Sequence, residues 1–243
     1  MPGREEMLKR IRKALGRPAE GPGLAPKGVD PSPQDLAGVM PPTAPEELLP
    51  KFEAEWANVG GSTHRATTKQ EVEETLRTIL ANLESPNVVL SRNPLLAQLG
   101  IAETLRAGGK SVAVGPKADS SPSDNAAFRK QSFEAVAGIT GVDFVLAETG
   151  SLVLSSVTEG SQLASLAPPV HIALYQRSQL IGSLDEVLAR LPVPRGPDEP
   201  LAGRSVVFIT GTSRTADIEQ ILVRGVHGPR EVHAILVEES CLR

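Results

Sequence analysis

Residues 144–154, FVLAETGSLVL, decide the fold. Two short apolar runs, Phe144–Ala147 and Leu152–Leu154, are separated only by Glu148–Ser151. A crossover between parallel strands needs about a dozen residues or more, so this pair must be a hairpin, turning at Thr149-Gly150. Outward from it lie other runs of the same kind: Val88–Leu90, Val112–Val114, Val170–Leu174, Val206–Ile209 and Val232–Val237. They are short and apolar at nearly every position, the pattern of strands covered on both faces in a parallel sheet. Helical segments at 95–107, 124–137, 161–167, 183–191 and 217–224 separate most of them. Pro168-Pro169 ends one helix and forces an extended entry into Val170–Leu174. The alternation, broken by one hairpin, predicts an α/β fold with a mixed, mostly parallel sheet flanked by helices.

Upstream the composition shifts. Ten of the 21 prolines lie at or before Pro50. Residues 4–15 place Met7, Leu8, Ile11 and Leu15 on one helical stripe, with Lys9, Arg10, Arg12 and Lys13 on the other faces. Residues 16–44 have no period and many breakers, and read as a linker. From Glu46 the pattern is regular: Leu48, Leu49, Phe52 and Trp56 form one amphipathic helix, and 69–83 form another. The chain therefore divides into a basic amphipathic helix (1–15), a Pro/Gly-rich linker (16–44) and an α/β domain (45–243). The helix is an arm, free to dock on its own domain or on a partner.

With 243 residues the chain is long enough for one large core. Its single cysteine, Cys241, excludes an internal disulfide, a four-cysteine zinc site and a self-contained iron–sulfur cluster. No run approaches the ~18 apolar residues of a membrane span. The start has no apolar signal-peptide core, so a cytoplasmic location is expected. A net charge of -4 and an aromatic content of 3% argue against nucleic-acid binding and base stacking.

Three constellations bear on chemistry. Residues 205–238 read as a compact βαβ: strand 205–210, a loop at Gly211–Thr215, a helix begun by Asp217 and Gln220 at capping-box spacing, then a returning strand. A strand feeding a helix N-terminus presents unpaired N–H groups to an anion. Thr210, Gly211, Thr212, Ser213, Arg214 and Thr215 are therefore candidate ligand-binding residues, although the same hydroxyls also serve as plain helix caps. The loop matches no nucleotide fingerprint. The hairpin turn adds Thr149, Gly150 and Ser151, with Glu148 and Glu159 as carboxylates able to transfer protons if they meet, or to sit on surface turns if they do not. His227 is the third catalytic candidate, or else a ring satisfying helix-end carbonyls. His171 begins an apolar strand and reads as a core histidine, while His64 and His233 lack partners at ligand spacing. No metal site is expected. Gly138–Gly141 reads as a tight helix-to-strand turn, and Ser183 with Glu186 as a structural capping box.

The ordered combination of GITGVDFVLAETGSLVL (138–154), SLAPPVHIAL (165–174) and TGTSRTADIEQILVRGVHGP (210–229) resembles the LUD-domain family. Within it, the chain is similar to the LutC, or YkgG-like, lactate utilization group. The resemblance covers residue 46 to the end and extends to the N-terminal helix. It implies a fold related to the NagB/RpiA/CoA-transferase group and to formyltetrahydrofolate cyclo-ligases. It also implies a part in oxidising L-lactate to pyruvate beside iron–sulfur partner proteins, as a component of a complex. Family members fused to ferredoxin-type cysteine motifs carry clusters themselves. This chain lacks those cysteines, so no cofactor is expected on it and the clusters fall to partners, with a small carboxylate or phosphate-bearing ligand in its pocket. Two alternatives stay open: a stand-alone enzyme of the CoA-transferase or cyclo-ligase type using Glu148 or Glu159, and a structural or regulatory subunit. Assembly with a second copy is also left open.

Overall fold

The computed structural model describes residues 4–14, 42–117, 119–191, 205–216 and 222–242. It divides into two units, residues 1–41 and 42–243. In the first, α1 (Arg4–Ala14) is the expected amphipathic helix, and its Met7, Leu8 and Ile11 are exposed. The linker expected at 16–44 lies outside the described residues except for 42–44.

The second unit begins with α2 (Pro45–Asn58), β1 (Ser62–Ala66), α3 (Lys69–Ala81), β2 (Asn87–Leu90), α4 (Pro94–Leu99), α5 (Ile101–Ala107), β3 (Ser111–Val114), α6 (Pro122–Glu134) and β4 (Ala137–Thr140). It continues with β5 (Phe144–Leu146), β6 (Ser151–Ser155), α7 (Ser156–Glu159), α8 (Leu163–Leu166), β7 (Val170–Tyr175), β8 (Leu180–Ile181) and α9 (Leu184–Arg190). Last come β9 (Val206–Ile209), β10 (Arg214–Ala216), β11 (Leu222–Arg224) and β12 (Glu231–Val237). Six strands form a sheet in the order β1-β12-β7-β4-β2-β3, every neighbouring pair parallel. The hairpin falls in a second sheet, β8-β5-β6-β9, where β6 runs antiparallel to both neighbours. The first sheet is thus wholly parallel and the second mixed, since β5 and β8 pair parallel. Among the described residues no helix is long and apolar enough to cross a membrane.

Alternation along the strands builds the layers. On β7, Val170, Ile172 and Leu174 face a core shared with α3, α4 and α5, whereas Ala173 and Tyr175 face α2 and the second sheet. On β12, Ile235 and Val237 join the first core, and Val232, Ala234 and Leu236 the second. Phe52 and Trp56 of α2 anchor the second core, their rings stacked 5.7 Å apart, with Trp56 Nε1 donating to the Ser62 carbonyl at 3.1 Å. Val89 of β2 packs with Phe128 of α6 and Ala164 of α8. The outer face of the second sheet, Leu146, Val153 and Ile181, is covered by Val187 of α9.

The compact βαβ expected at 205–238 does not form. β9 pairs with β6 in the second sheet, while β12 lies between β1 and β7 in the first. Residues 222–224, expected at the end of a helix, are strand β11, paired antiparallel with β10 in register Thr215↔Val223. The apolar spacing suited either period, and strand pairing decided it. Asp217 and Gln220 lie outside the described residues. The start of the helix expected behind Gly211–Thr215 thus lies outside the described residues. The glycine-flanked segment at 138–141 also proves more than a turn: Ala137–Thr140 is a central strand, β4.

The histidines make the fold sensitive to acid. His171 is fully buried, its Nε2 within 2.8 Å of Thr140 Oγ1, and burial followed by the field of His233 lowers its pKa from 6.5 to about 3. His233 meets His64 at 3.1 Å across β12 and β1, and burial followed by His64 brings it down to about 4. Above pH 6.5 these groups are neutral folded or unfolded. Below it the unfolded chain gains protons that the fold refuses, so stability is lost as pH falls. Urea unfolding at pH 7.5 and pH 5 should differ by about 2 kcal/mol for each of the two histidines. His233→Gln should flatten that slope; an unchanged slope would contradict the assignment.

Candidate functional site

The order of the parallel sheet sets where a site opens. From β2 the chain passes through α4 and α5 to β3 on one side, whereas from β4 it proceeds to β7 and then β12 on the other. The direction of winding reverses between neighbouring strands β2 and β4, and a crevice opens at the carboxyl ends of such a pair. Ser91-Arg92-Asn93 follow β2 there, and Gly141 follows β4.

Glu159 closes the crevice from below. It ends α7, is fully buried, and accepts hydrogen bonds from Asn93 Nδ2 and, at 3.2 Å, from the Gly141 N–H. Asn93 is fixed in turn, because its Oδ1 accepts the Leu95 N–H at 3.0 Å as the cap of α4. Burial raises the pKa of Glu159 above the ordinary carboxyl range, opposed by hydrogen bonds from Ser91, Asn93 and Gly141. The Arg92 N–H donates to the Glu159 carbonyl at 3.0 Å. Its side chain lies across Gly160, which has φ +74, and a Cβ on Gly160 would stand 2.7 Å from Arg92 Nε. That Nε is buried and has no hydrogen-bond partner among the described residues. Above it a cavity of about 320 Å³ is walled by the β2 loop, α4, α5 and the end of β3.

The other expected site residues lie elsewhere. β5 and β6 are antiparallel, so the 147–150 turn sits at one end of the hairpin and Glu159, beyond β6, near the other. Glu148 Oε2 accepts the Leu184 N–H at 3.0 Å, ahead of α9. Chain direction therefore sets Glu148 and Glu159 toward opposite ends of the hairpin. His227 is exposed in the stretch before β12, rather than at the end of a helix.

Two predicted stretches do converge. The Ser151 hydroxyl lies 2.7 Å from that of Thr149 and 2.6 Å from that of Thr210. Gly150 is pressed against α2, where an added Cβ would meet the Trp56 nitrogen at 2.5 Å. Beyond buried Gly211, Thr212 Oγ1 accepts from Arg214 Nε at 3.2 Å, and Arg214 Nη2 donates to the Val59 carbonyl at 2.8 Å. The Ser213 N–H donates to the Pro229 carbonyl. Thr215 lies on β10, and its side chain is outside the described residues. These groups are joined mainly to each other and to α2, near the amino ends of β1 and β12. Among the described residues no three His, Cys, Asp or Glu side chains gather as for a metal.

The sequence held a signal for the residues it did not single out. Ser91-Arg92-Asn93-Pro94 directly follows a buried strand, and Asn-Pro is a cap followed by the favoured first helical residue.

Glu159→Ala should leave Asn93 Nδ2 and the Gly141 N–H without acceptors, costing roughly 1–3 kcal/mol for each unsatisfied group. Glu159→Gln retains one acceptor and should lose less. Chemical denaturation that ranks alanine equal to glutamine would show that the carboxylate does not carry these contacts.

Residues 49–237 match the profile of the LUD domain family. Lactate utilization protein C of Halalkalibacterium halodurans is 27% identical over 97% of this chain and 98% of its own. The protein of that name from Geobacillus sp. (strain WCH70) is 29% identical over 97% of this chain and 96% of its own. YkgG of Escherichia coli, an uncharacterized protein, is 26% identical over 98% of this chain and 100% of its own. In structure, a DUF162 family protein from Deinococcus radiodurans superposes with a TM-score of 0.56 at 21% identity, covering 81% of this chain and 99% of that one. The last likeness establishes a shared fold.

Proposed function

The chain belongs to the LUD domain family, and on that premise we propose that it is a subunit of an L-lactate utilization system that carries no redox centre of its own. It binds a small carboxylate, or a phosphate-bearing ligand, at the carboxyl end of the parallel sheet. Arg92 is the observation that carries this reading. A guanidinium with a buried, unpartnered Nε at a switch point is an anion donor kept in reserve. Glu159 positions Asn93 and the end of β4 around it. The names of relatives matched over nearly their full lengths supply the pathway.

Oxidising lactate to pyruvate releases two electrons, and one cysteine cannot hold a cluster to receive them. Cys241 is buried, its Sγ directed to the Ala66 carbonyl, and burial pushes its thiol pKa up, which suits a packing role. Iron–sulfur partner proteins in the cytoplasm therefore take the electrons. The arm formed by α1, with Lys9, Arg10 and Lys13 beside an exposed apolar stripe, docks an acidic face of such a partner.

Deleting the gene should abolish growth on L-lactate. Wild type and Cys241→Ser should restore it, and Arg92→Ala should not. A cysteine-rich partner should co-purify with the full chain, and less of it with Lys9→Glu/Arg10→Glu/Lys13→Glu. Normal growth of the deletion strain, with no such partner associating, would reject the proposal.

A further inference from the structure

The second sheet ends in an unguarded strand. Among the described residues β9 pairs with β6 on one side and with no strand on the other. With one residue on either side its sequence is SVVFIT (205–210), which holds no charge, no proline and no glycine. Edge strands are ordinarily blunted by charges, prolines or bulges, because a bare row of N–H and C=O groups is a template for another strand. The outer face is apolar as well. In the register of β6 and β9, Phe208 stands opposite Val153 and Val206 opposite Ser155. Val187 of α9 covers Val153, but the cover stops short of β9: Val206 and Phe208 are 37% and 40% exposed. Val157, two residues beyond Ser155, is exposed beside them, and so are Leu184 and Leu188 on α9.

We propose that β9 pairs with the same strand of a second copy of this chain, antiparallel across a two-fold axis. Such an axis turns a surface patch against itself, so a strand that meets its own copy does so antiparallel. Residues directly opposite in an antiparallel pair share a face, and this fixes the register. Centring on Val207 sets Val206 against Phe208 of the partner subunit on the outer face, and leaves Val207 and Ile209 directed to the core they already join. A slip of one residue would oppose an inward side chain to an outward one. The lack of charge selects the occupant, because the strand meets its own copy with no like charges opposed. Two four-residue strands bury too little by themselves for the roughly 1,200 Å² of a stable complex. The exposed Val157, Leu184 and Leu188 supply the apolar margin around them. The pairing is independent of the carboxylate reading above.

Analytical ultracentrifugation of the full-length protein at tens of micromolar should give twice the 25.6 kDa of one chain. Val206→Lys/Phe208→Lys opposes lysines across the axis and should weaken association roughly tenfold or more. Val206→Lys/Phe208→Glu is equally polar, but sets each lysine against a glutamate and should restore the dimer. A wild-type chain that stays monomeric would overturn the proposal and leave this edge to a strand of another protein. A dimer that both variants keep, or both lose, would overturn it too. Hydrogen exchange needs no variant: the amides of 206–209 should exchange more slowly in the wild-type dimer than in its dilute monomer, and equal rates would refute the pairing.

Discussion

The buried carboxylate of Glu159 is the tie on which the working end of the molecule depends. Its two oxygens reach Asn93, after β2, and Gly141, after β4, while its own backbone follows the long hairpin excursion. Segments 66 and 18 residues away along the chain are thereby fixed to Glu159. A carboxyl group removed from water is costly unless its oxygens are used, and here donors from Asn93 and Gly141 offset the desolvation that raises its pKa. The tie fixes the end of α7, and with it the place where Arg92 crosses Gly160.

This arrangement depends on a sheet rigid enough to hold β2 and β4 side by side. The two-faced strands supply that rigidity. β7 and β12 each contribute side chains to two cores, so a register slip by one residue would exchange both sets at once. Small residues in β4 admit the chain around it: Gly138 faces the Ala164 carbonyl, which a Cβ would meet at 1.7 Å. The same smallness concealed β4 in the sequence, where AGIT offers too short an apolar run to announce a strand.

What could be read in advance divides along physical lines. β2, β7 and β12 were legible, because burial on both faces leaves a continuous apolar signature; β3 and β9 carry the same signature although Val114, Val206 and Phe208 are exposed. The helices with a clear stripe, such as α2 and α3, were legible for the same reason. β1, STHRA, was not, because as an edge strand it buries only Ala66 completely and owes its conformation to pairing with β12. The segment at 205–238 misled because its capping spacing and apolar period suit a helix, whereas a partner strand is settled by tertiary pairing. Within the site, Glu159 was visible as a residue type and Arg92 was not. Neither the role of a carboxylate nor the freedom of a guanidinium is local in sequence; each depends on which strands become neighbours.

The two ends of the sheet differ in how their polar groups are engaged. Near the amino ends of β1 and β12 most polar groups are joined to one another, although His233 Nε2 is buried without a hydrogen-bond partner among the described residues. Arg214 is held by Val59 and Thr212, Ser151 lies between Thr149 and Thr210, and the Arg230 N–H is taken by Pro169. A ligand there would have to break bonds already made. At the carboxyl end of β2 a buried guanidinium nitrogen has no hydrogen-bond partner among the described residues and lies beside an open cavity. An unsatisfied buried donor costs free energy comparable to several ordinary contacts. His171 Nδ1, Tyr175 Oη and His233 Nε2 share that condition; Arg92 differs from them in carrying a fixed positive charge beside an open cavity.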